Sequence, residues 1–546
     1  MNPLSKFRLN AALEGSPLRR PAFRLFYFGS IGAALGYTMQ ATLSSWLMAT
    51  LTPSTLMVAL VQTASTTPTL LFGLIAGALS DIVDRRKVIL VTQVMILTTV
   101  AILGVAALAG VIGPLSLLLM TFLVGCGFTF YMPAQQASVN EFVPRTELAH
   151  AVALGAVAFN VARAIGPALA GAIAALFNSG SALLVSATCF AGVIAAVLKW
   201  KPREASLPGV PERLLSGVVS GMRFAWNSAT MRALIVRNLS FSLCASSFWA
   251  LLPVIARDLL GLGAAGFGLL SAGFGAGAIL GALSLPHQLK KTSLNRIVTY
   301  GFVAWAVAVG MVSVSSITAI TLVGAAAGGA AWVCVLASLS AGTQSSAPVW
   351  VRARALSMNL VATQASLAAG SAFWGMLASV AGIRISLATS AVAMLLLFVL
   401  TRRFEVKLGS EADVSPRVQL LDLTINIEPL PDDGPVLIQL EYRVDRDRRA
   451  DFLKAIKAIG PTRRRSGATS WRMFRDLEEE DRFVERYVVA SWADYLRQRA
   501  RMTLADSELQ SKAALFQREG IPIRISRLIG AETVSDSLIV EDVAPS

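Results

Sequence analysis

The chain has 546 residues, 55% of them hydrophobic and 15% charged, with a formal net charge of +15. Soluble domains carry about 25% charged residues, so most of this chain is not an ordinary soluble protein. The basic surplus lies between hydrophobic runs, where it sets membrane topology, and this excludes nucleic acid as a partner.

Residues 1–24 read as a short basic cytoplasmic segment, whose first 20 residues lack the apolar core and small-residue cleavage site of a signal peptide. Apolar runs then follow at about 25–49, 56–79, 88–110, 115–138, 150–177, 181–199, 232–256, 262–286, 294–314, 318–342, 354–379 and 383–401. A bilayer crossing needs about 20 mainly apolar residues, because lipid offers no partner to backbone amides and carbonyls. Twelve transmembrane helices are therefore predicted. The breaks TLTPST, AGVIGP, FNSGS, RDLLGLG, SVSSITA and SVAGIR carry only Arg257 and Arg384 as bases. The intervening breaks hold Arg85, Arg86, Lys87, Arg145, Lys199, Lys201, Arg203, Arg213, Arg223, Lys290, Lys291, Arg296, Arg352 and Arg354. Positive residues stay inside, so both termini are expected in the cytoplasm.

The long break at 200–230 divides the body into an N-terminal six-helix half, 25–199, and a C-terminal half, 231–403. Its segment PERLLSGVVSGMRFAWNSAT has an apolar face with Arg213 and Arg223 opposite. It reads as an interfacial helix on the inner leaflet, with an ordinary loop as the alternative. The two halves repeat at an offset of 204 residues. GALS occurs at 77–80 and 281–284, Pro144 meets Pro348, Ala151 meets Ala355, Gly125 meets Gly329, Gly166 meets Gly370 and Gly171 meets Gly375. Paired halves of this kind enclose a site near the midplane and rock about it. Cys126, Cys189, Cys244 and Cys334 lie in apolar runs without paired spacing and should be free buried thiols.

The stretch GALSDIVDRRKVIL resembles the loop that marks the major facilitator superfamily, G-x-x-x-D-R-x-G-R-R. Gly77, Asp81, Arg85 and Arg86 match, while Ile82 stands where a base is usual and Asp84 where a glycine is. The resemblance implies a latch on the inner side: Gly77 for close helix contact, Asp81 as cap or ion pair, the arginines at lipid headgroups. A purely topogenic basic loop is the alternative. In the second half Leu285 replaces the acid. ARAIGPALAG, residues 162–171, resembles the Gly-Pro segment in the fifth helix of superfamily exporters, with Gly166, Pro167 and Gly171 matching. That motif implies efflux; a generic kinked, small-residue helix is the alternative. VPRTELAHAVAL, SGMRFAW and the segments GPVLIQLEYRV and GATSWRMFRDLEEEDRFVERYVVASWADYLRQRARMT are similar to the enterobactin-exporter-like branch, and more closely to its long bacterial members called transmembrane secretion effectors. Siderophore or drug export in a bacterial inner membrane is what that likeness implies.

Polar groups inside spans are the candidates for a substrate path. Arg163 stands out, because it holds its charge and must face a watery cavity, an acid or an anionic substrate. A snorkelling arginine paired with Asp81 or Glu141 is the structural alternative. Gln40, Gln62, Thr63, Thr67, Asn160, Gln344, Asn359 and Gln364 add hydrogen-bonding groups, and Trp46, Trp249 and Trp374 add flat apolar walls. No carboxylate lies deep within a span. Proton antiport, which the family implies, is left with Asp81 or Glu141 as its carrier. There is no Walker lysine loop, metal-ligand cluster or dinucleotide fingerprint, so no cofactor or metal is expected.

After a polar linker at 404–434, residues 435–546 read as an α+β domain. VLIQLEYRV, TSWRMFRD, FVERYVVAS and IPIRISRLI are strand-like, while RRADFLKAIKAI is an amphipathic helix with Phe452, Ile456 and Ile459 on one side. WADYLRQRARMT is a second helix. The order βαββαβ predicts a ferredoxin-like module. It resembles antibiotic-biosynthesis-type monooxygenases, which implies a dimerising or regulatory appendage, with an active enzyme as the alternative. Homodimerisation through this domain, membrane lipid and a small-molecule substrate are the partners expected. Topology is directly testable: with the native cysteines replaced, Ser415→Cys should resist a membrane-impermeant thiol reagent in intact cells and react after permeabilisation. Labelling in intact cells would reverse the orientation.

Overall fold

The computed structural model describes residues 17–144, 147–200, 222–348, 350–409 and 429–530, and the side chains of Asp81 and Ile82 lie outside the described set. Contacts divide the chain into two compact units, Met1–Pro211 with Val236–Leu339 and Asn359–Arg403, and Glu212–Ile235 with Ser340–Met358 and Phe404–Ser546.

The first half of the body runs through α1 (Pro21–Leu51), α2 (Thr55–Ile82), α3 (Arg85–Leu108), α4 (Pro114–Phe142), α5 (Leu148–Leu176), α6 (Ser179–Thr188) and α7 (Ala191–Lys199). The second runs through α8 (Ala229–Val254), α9 (Ala264–Lys291), α10 (Leu294–Val314), α11 (Thr318–Ser346), α12 (Arg352–Ala381) and α13 (Ile383–Thr401). Local chemistry sets several starts. Ser54 accepts from the amide of Met57, Asp84 from that of Arg86 at 2.9 Å, and Asn178 from that of Ser181 at 2.8 Å, each quenching an orphan donor of a first turn. Asp84, which departs from the superfamily loop pattern, thus works as the N-cap of α3.

Among the described residues eleven segments are long and apolar enough to cross a bilayer, with α6 and α7 forming one crossing between them. The twelfth expected crossing is α1. At 31 residues it is long enough, but it falls short on composition. The reason is a run of polar positions, Tyr37, Thr38, Gln40, Thr42, Ser44 and Ser45. The interfacial helix expected at 211–230 lies mostly outside the described residues; of it, residues 222–227 are helical.

The internal repeat has a counterpart in packing. A Cβ on Gly166 would meet Thr38 of α1, and one on Gly370 would meet Ser246 and the carbonyl of Leu243 on α8. A Cβ on Gly171 would stand 2.7 Å from the carbonyl of Ala264 and 2.9 Å from the Cα of Gly268 on α9. Its counterpart Gly375 faces Ala59 and the backbone of Leu56 on α2. The equivalent helices of each half therefore make equivalent close approaches, which small residues alone permit.

Contacts between the halves are close towards the side of the short loops. Trp46 of α1 stacks on Phe267 of α9, with centroids 5.7 Å apart and planes at 19°. Thr63 of α2 donates to the carbonyl of Ala368 on α12 at 3.0 Å. α8 ends in a π-helical turn, Ile255–Leu259. From it Arg257 donates to the carbonyls of Ala49 and Thr52, while its Nη2 holds Asp258 at 2.9 Å.

In the second unit, β1 (Val436–Arg443), β2 (Ser470–Arg475), β3 (Arg482–Val489) and β4 (Arg524–Ile529) form an antiparallel sheet in the order β2-β3-β1-β4. The connections are α14 (Arg449–Lys457) with α15 (Ile459–Ser466), and α16 (Trp492–Ala500) with α17 (Leu504–Ala514). This is the ferredoxin-like arrangement, with each connecting helix doubled. Phe452, Ile456 and Ile459 are fully buried in one core cluster with Tyr442 and Phe483. Inside the sheet, fully buried Glu485 accepts from Arg463 Nε at 3.0 Å, Trp471 Nε1 at 2.9 Å and Tyr442 Oη at 3.3 Å. A buried carboxylate costs little only when its lone pairs are filled in this way. Burial pushes the neighbouring Tyr487 hydroxyl up to about 12, an effect that Arg463 offsets in part.

Gly171→Leu should destabilise the fold by about 1–3 kcal/mol, because the new side chain must part α5 from α9. Gly155→Ala adds its Cβ to open space. Thermal unfolding of the two purified variants in detergent should show a lowered midpoint for the first and a near-native one for the second.

Candidate functional site

A cavity of about 140 Å³ lies between the two halves. Its walls come from α1 with Tyr37, Thr38, Thr42 and Ser45, α2 with Gln62, and α5 with Asn160, Arg163 and Pro167. Across from them stand Trp249 and Leu252 of α8 and Phe267, Ser271 and Phe274 of α9. The polar positions that make α1 the least apolar span are largely the ones that face this space. Thr42 and Ser45 bond back to the carbonyls of Thr38 and Ala41, at 2.9 Å each, so they line the cavity without an unmet donor.

Arg163 is the cation of the cavity. Among the described residues no carboxylate pairs with it; Tyr37 is the ionisable neighbour whose field it feels. Glu141, the partner that the structural alternative offered, is tied instead to Arg85 Nη1 at 3.1 Å. An arginine keeps its charge at any accessible pH, so the site presents a fixed positive group beside aromatic and aliphatic walls. Such a surface is chemically complementary to a molecule with an anionic head and a flat apolar body.

The other sequence candidates are placed elsewhere. Gln40 donates to Ser44 at 2.8 Å beside a void of about 20 Å³ that it shares with Gln62. Thr63 bridges to α12, and Thr67 bonds back to the carbonyl of Thr63 at 2.7 Å. Trp46 belongs to the inter-half stack, and Trp374 donates to the carbonyl of Leu243 at 2.8 Å. Gln344 is exposed and belongs to the second unit. Gln364 is half-buried in α12 away from the cavity lining. Asn359 is buried in the C-terminal half, where Asn238 donates to its backbone carbonyl at 2.9 Å and to Thr363 Oγ1 at 2.8 Å. Gln40 and Thr67 are engaged within their own helices, whereas Thr63, Asn359 and Trp374 are engaged by neighbouring ones.

The loop between α2 and α3 differs from expectation in two ways. Among the described residues nothing lies within 4 Å of where a Cβ on Gly77 would stand, so no close helix contact is made there. The arginines bind protein, where headgroups were expected. Arg85 reaches Glu141 and the carbonyls of Ser80 and Ala137, and Arg86 donates to the carbonyls of Val197 and Leu198 at 3.0 Å each. The cluster therefore knits α2, α3, α4 and α7 together within one half. Asp81, the expected acid of the latch, has a side chain outside the described residues. In the exporter-like segment Gly166 and Gly171 serve as close-approach points against α1 and α9, and Pro167 lines the cavity.

Arg237 escaped the sequence reading. It is 1% exposed in α8, with its guanidinium 5.6 Å from the ring of Phe302 and 5.5 Å from that of Phe398. A charge about five residues inside the run 232–256 is the same signal that singled out Arg163. Its nearness to the basic end of the helix disguised it as a topological residue.

Two pseudo-equivalent helical halves around a central cavity define the class: this is a membrane transporter fold of the major facilitator type. A bacterial homologue of the human lysosomal transporter Spinster, in an inward-facing and unoccupied conformation, superposes with a TM-score of 0.59 at 13% identity over 71% of this chain and 98% of that one. The nucleoside transporter NupG gives a TM-score of 0.54 at 13% identity over 70% of this chain and 98% of that one. Residues 13–535 match the family described as transmembrane secretion effectors, and the chain belongs to that family. The multidrug efflux pump Tap of Mycolicibacterium fortuitum is 25% identical over 230 residues, 40% of this chain and 56% of that protein. The staphyloferrin A transporter of Staphylococcus aureus is 23% identical over 273 residues, 49% and 67% respectively. The chain spans about half the length of the Tap proteins it matches.

The Arg85–Glu141 pair has side chains 30% and 26% exposed. Pairs this open to solvent contribute about 0–1 kcal/mol, so Glu141→Gln should alter thermal stability by no more than that. A larger loss in differential scanning fluorimetry would mean that the carboxylate carries more of the half than its geometry implies.

Proposed function

We propose that this protein is a secondary transporter of a bacterial inner membrane, exporting a small amphipathic organic anion from the cytoplasm by alternating access. The observation that carries this reading is Arg163, a permanent cation without a carboxylate partner among the described residues, in a cavity between two halves. Close approach of the halves towards the short loops supports an arrangement sealed on the periplasmic side, given the cytoplasmic placement of the basic loops. Relatives named for multidrug efflux and for staphyloferrin A transport support a siderophore or drug-like cargo.

Coupling to protons is part of the proposal. Asp81 or Glu141 is its carrier, and the pairing of Glu141 with Arg85 makes release of that pair the step a proton would drive. For the C-terminal domain we favour a regulatory role. In the second unit Arg501 lies 4.2 Å over the ring of Trp350, Arg465 lies 5.7 Å over that of Phe224, and Arg223 donates to the carbonyl of Gly467 at 2.9 Å. The domain thereby grips residues at the basic ends of α8 and α12, positions from which it can bias gating.

Reconstitution tests both parts. In proteoliposomes, an anionic catechol conjugate should be transported and Arg163→Gln should slow it roughly a hundredfold, with partial rescue by Arg163→Lys, since a buried charge-assisted contact is worth about 1.5–3 kcal/mol. Equal transport by wild type and Arg163→Gln would remove the anion reading. Counterflow that ignores an imposed pH gradient would remove proton antiport and leave a uniporter.

A further inference from the structure

A second cavity is larger than the central one. It has a volume of about 380 Å³ and lies wholly within the N-terminal half. Six aromatic side chains face it, Phe23, Phe26 and Tyr27 from α1, Phe128 and Tyr131 from α4, and Phe159 from α5. Tyr27 donates its hydroxyl to the carbonyl of Leu154 at 3.2 Å, which leaves an apolar ring to the chamber. The amides of Gln135 and Gln136 are its main polar groups. In α5, Gly155 opens the wall: nothing lies within 4 Å of where its Cβ would be.

This chamber and the central cavity follow one another along α1 and α5. Along α1 the lining passes from Phe23, Phe26, Tyr27 and Ala34 to Tyr37, Thr38 and Thr42, and along α5 from Gly155 and Phe159 to Asn160 and Arg163. Phe128 belongs to the lower chamber and Tyr37 to the central cavity, and these two rings lie against each other with centroids 3.9 Å apart and planes at 11°. A face-to-face pair in that position is the partition between the two spaces.

We infer that the aromatic chamber is a second binding site, for the flat apolar body of an amphipathic substrate, and that the Tyr37–Phe128 stack divides it from the site of the anionic head at Arg163. The inference rests on the proposed reading of Arg163 as the anion site. Stacked rings separate by side-chain rotation without breaking a backbone hydrogen bond, and the interaction given up is modest. A planar ligand entering between them replaces the contact that it disrupts. The chamber therefore receives a neutral aromatic molecule by itself, whereas chamber and cavity together hold an aromatic anion, with rings among the aromatic residues and charge at Arg163. One consequence is selectivity by two independent criteria, planarity in the chamber and negative charge above it.

Two dyes separate these roles: N-phenyl-1-naphthylamine, which is neutral, and 8-anilinonaphthalene-1-sulfonate, which has a similar ring system and an anionic group. Each is titrated by fluorescence onto the full-length protein in lipid nanodiscs, with the signal of empty nanodiscs subtracted. Gly155→Trp fills the chamber, and its thermal unfolding midpoint in the same nanodiscs, expected near that of wild type, controls for folding. Wild type should bind both dyes, and Gly155→Trp should bind both at least about tenfold more weakly, the loss of roughly one ring's worth of stacking and burial. Arg163→Gln should weaken the sulfonate by a similar factor and leave the neutral dye unchanged. Equal binding of the neutral dye by wild type and Gly155→Trp would overturn the chamber as a site. An unchanged affinity of Arg163→Gln for the sulfonate would instead overturn the anion reading, so the two failures are distinguishable.

Discussion

A hydrocarbon solvent that supplies no hydrogen-bond partner is the constraint on which the body of this protein depends. It forces the backbone into helices and turns polar side chains back onto their own helix, towards another helix or into a cavity. The fate of each hydroxyl and amide follows. Thr42 and Ser45 fold back onto their own helix, Thr63 crosses to α12, and Asn238 threads together Asn359 and Thr363. A charge has fewer options. Arg237 is sandwiched near two phenyl rings, Arg257 is capped by carbonyls of the opposite half, and Arg163 faces the central cavity. Three arginines in one lipid-embedded body thus have three different solutions, and only Arg163 has its charge at a site with room for a ligand.

The fold was largely readable from sequence because its determinants are local and periodic. Apolar runs of about 20 residues, loops that alternate in charge and an offset of 204 residues between matching glycines are sufficient for two six-helix halves. The doubly connected ferredoxin-like domain was readable for the same reason, through alternation in VLIQLEYRV and helical spacing of Phe452, Ile456 and Ile459. What escaped were the second helices of each pair, α15 and α17. Ile459–Ser466 contains Pro461 and then an unbroken polar run from Thr462 to its end, so it shows no apolar stripe of its own. The hydropathy of α1 also misleads, since its polar side is a cavity wall.

The site was only partly readable. Gln62, Asn160, Arg163 and Trp249 line one cavity, whereas Thr63, Thr67, Asn359 and Trp374 are bound up in packing. Sequence gives the depth of a residue in a span but not the direction in which it points, and helix rotation decides between cavity and interface. The aromatic chamber was invisible for a related reason. Phenylalanines and tyrosines from α1, α4 and α5 look like lipid-facing or core residues until the helices are brought together.

The meeting of α5 and α9 has a mechanical consequence. Gly171 and Gly268 bring bare backbone against bare backbone there, with no knob seated in a hole. Interlocked side chains would have to leave their sockets and choose new rotamers each time the halves changed their tilt. Under the proposed alternating access, a smooth bearing would let one cylinder roll upon the other, without any step of unpacking and repacking at the fulcrum.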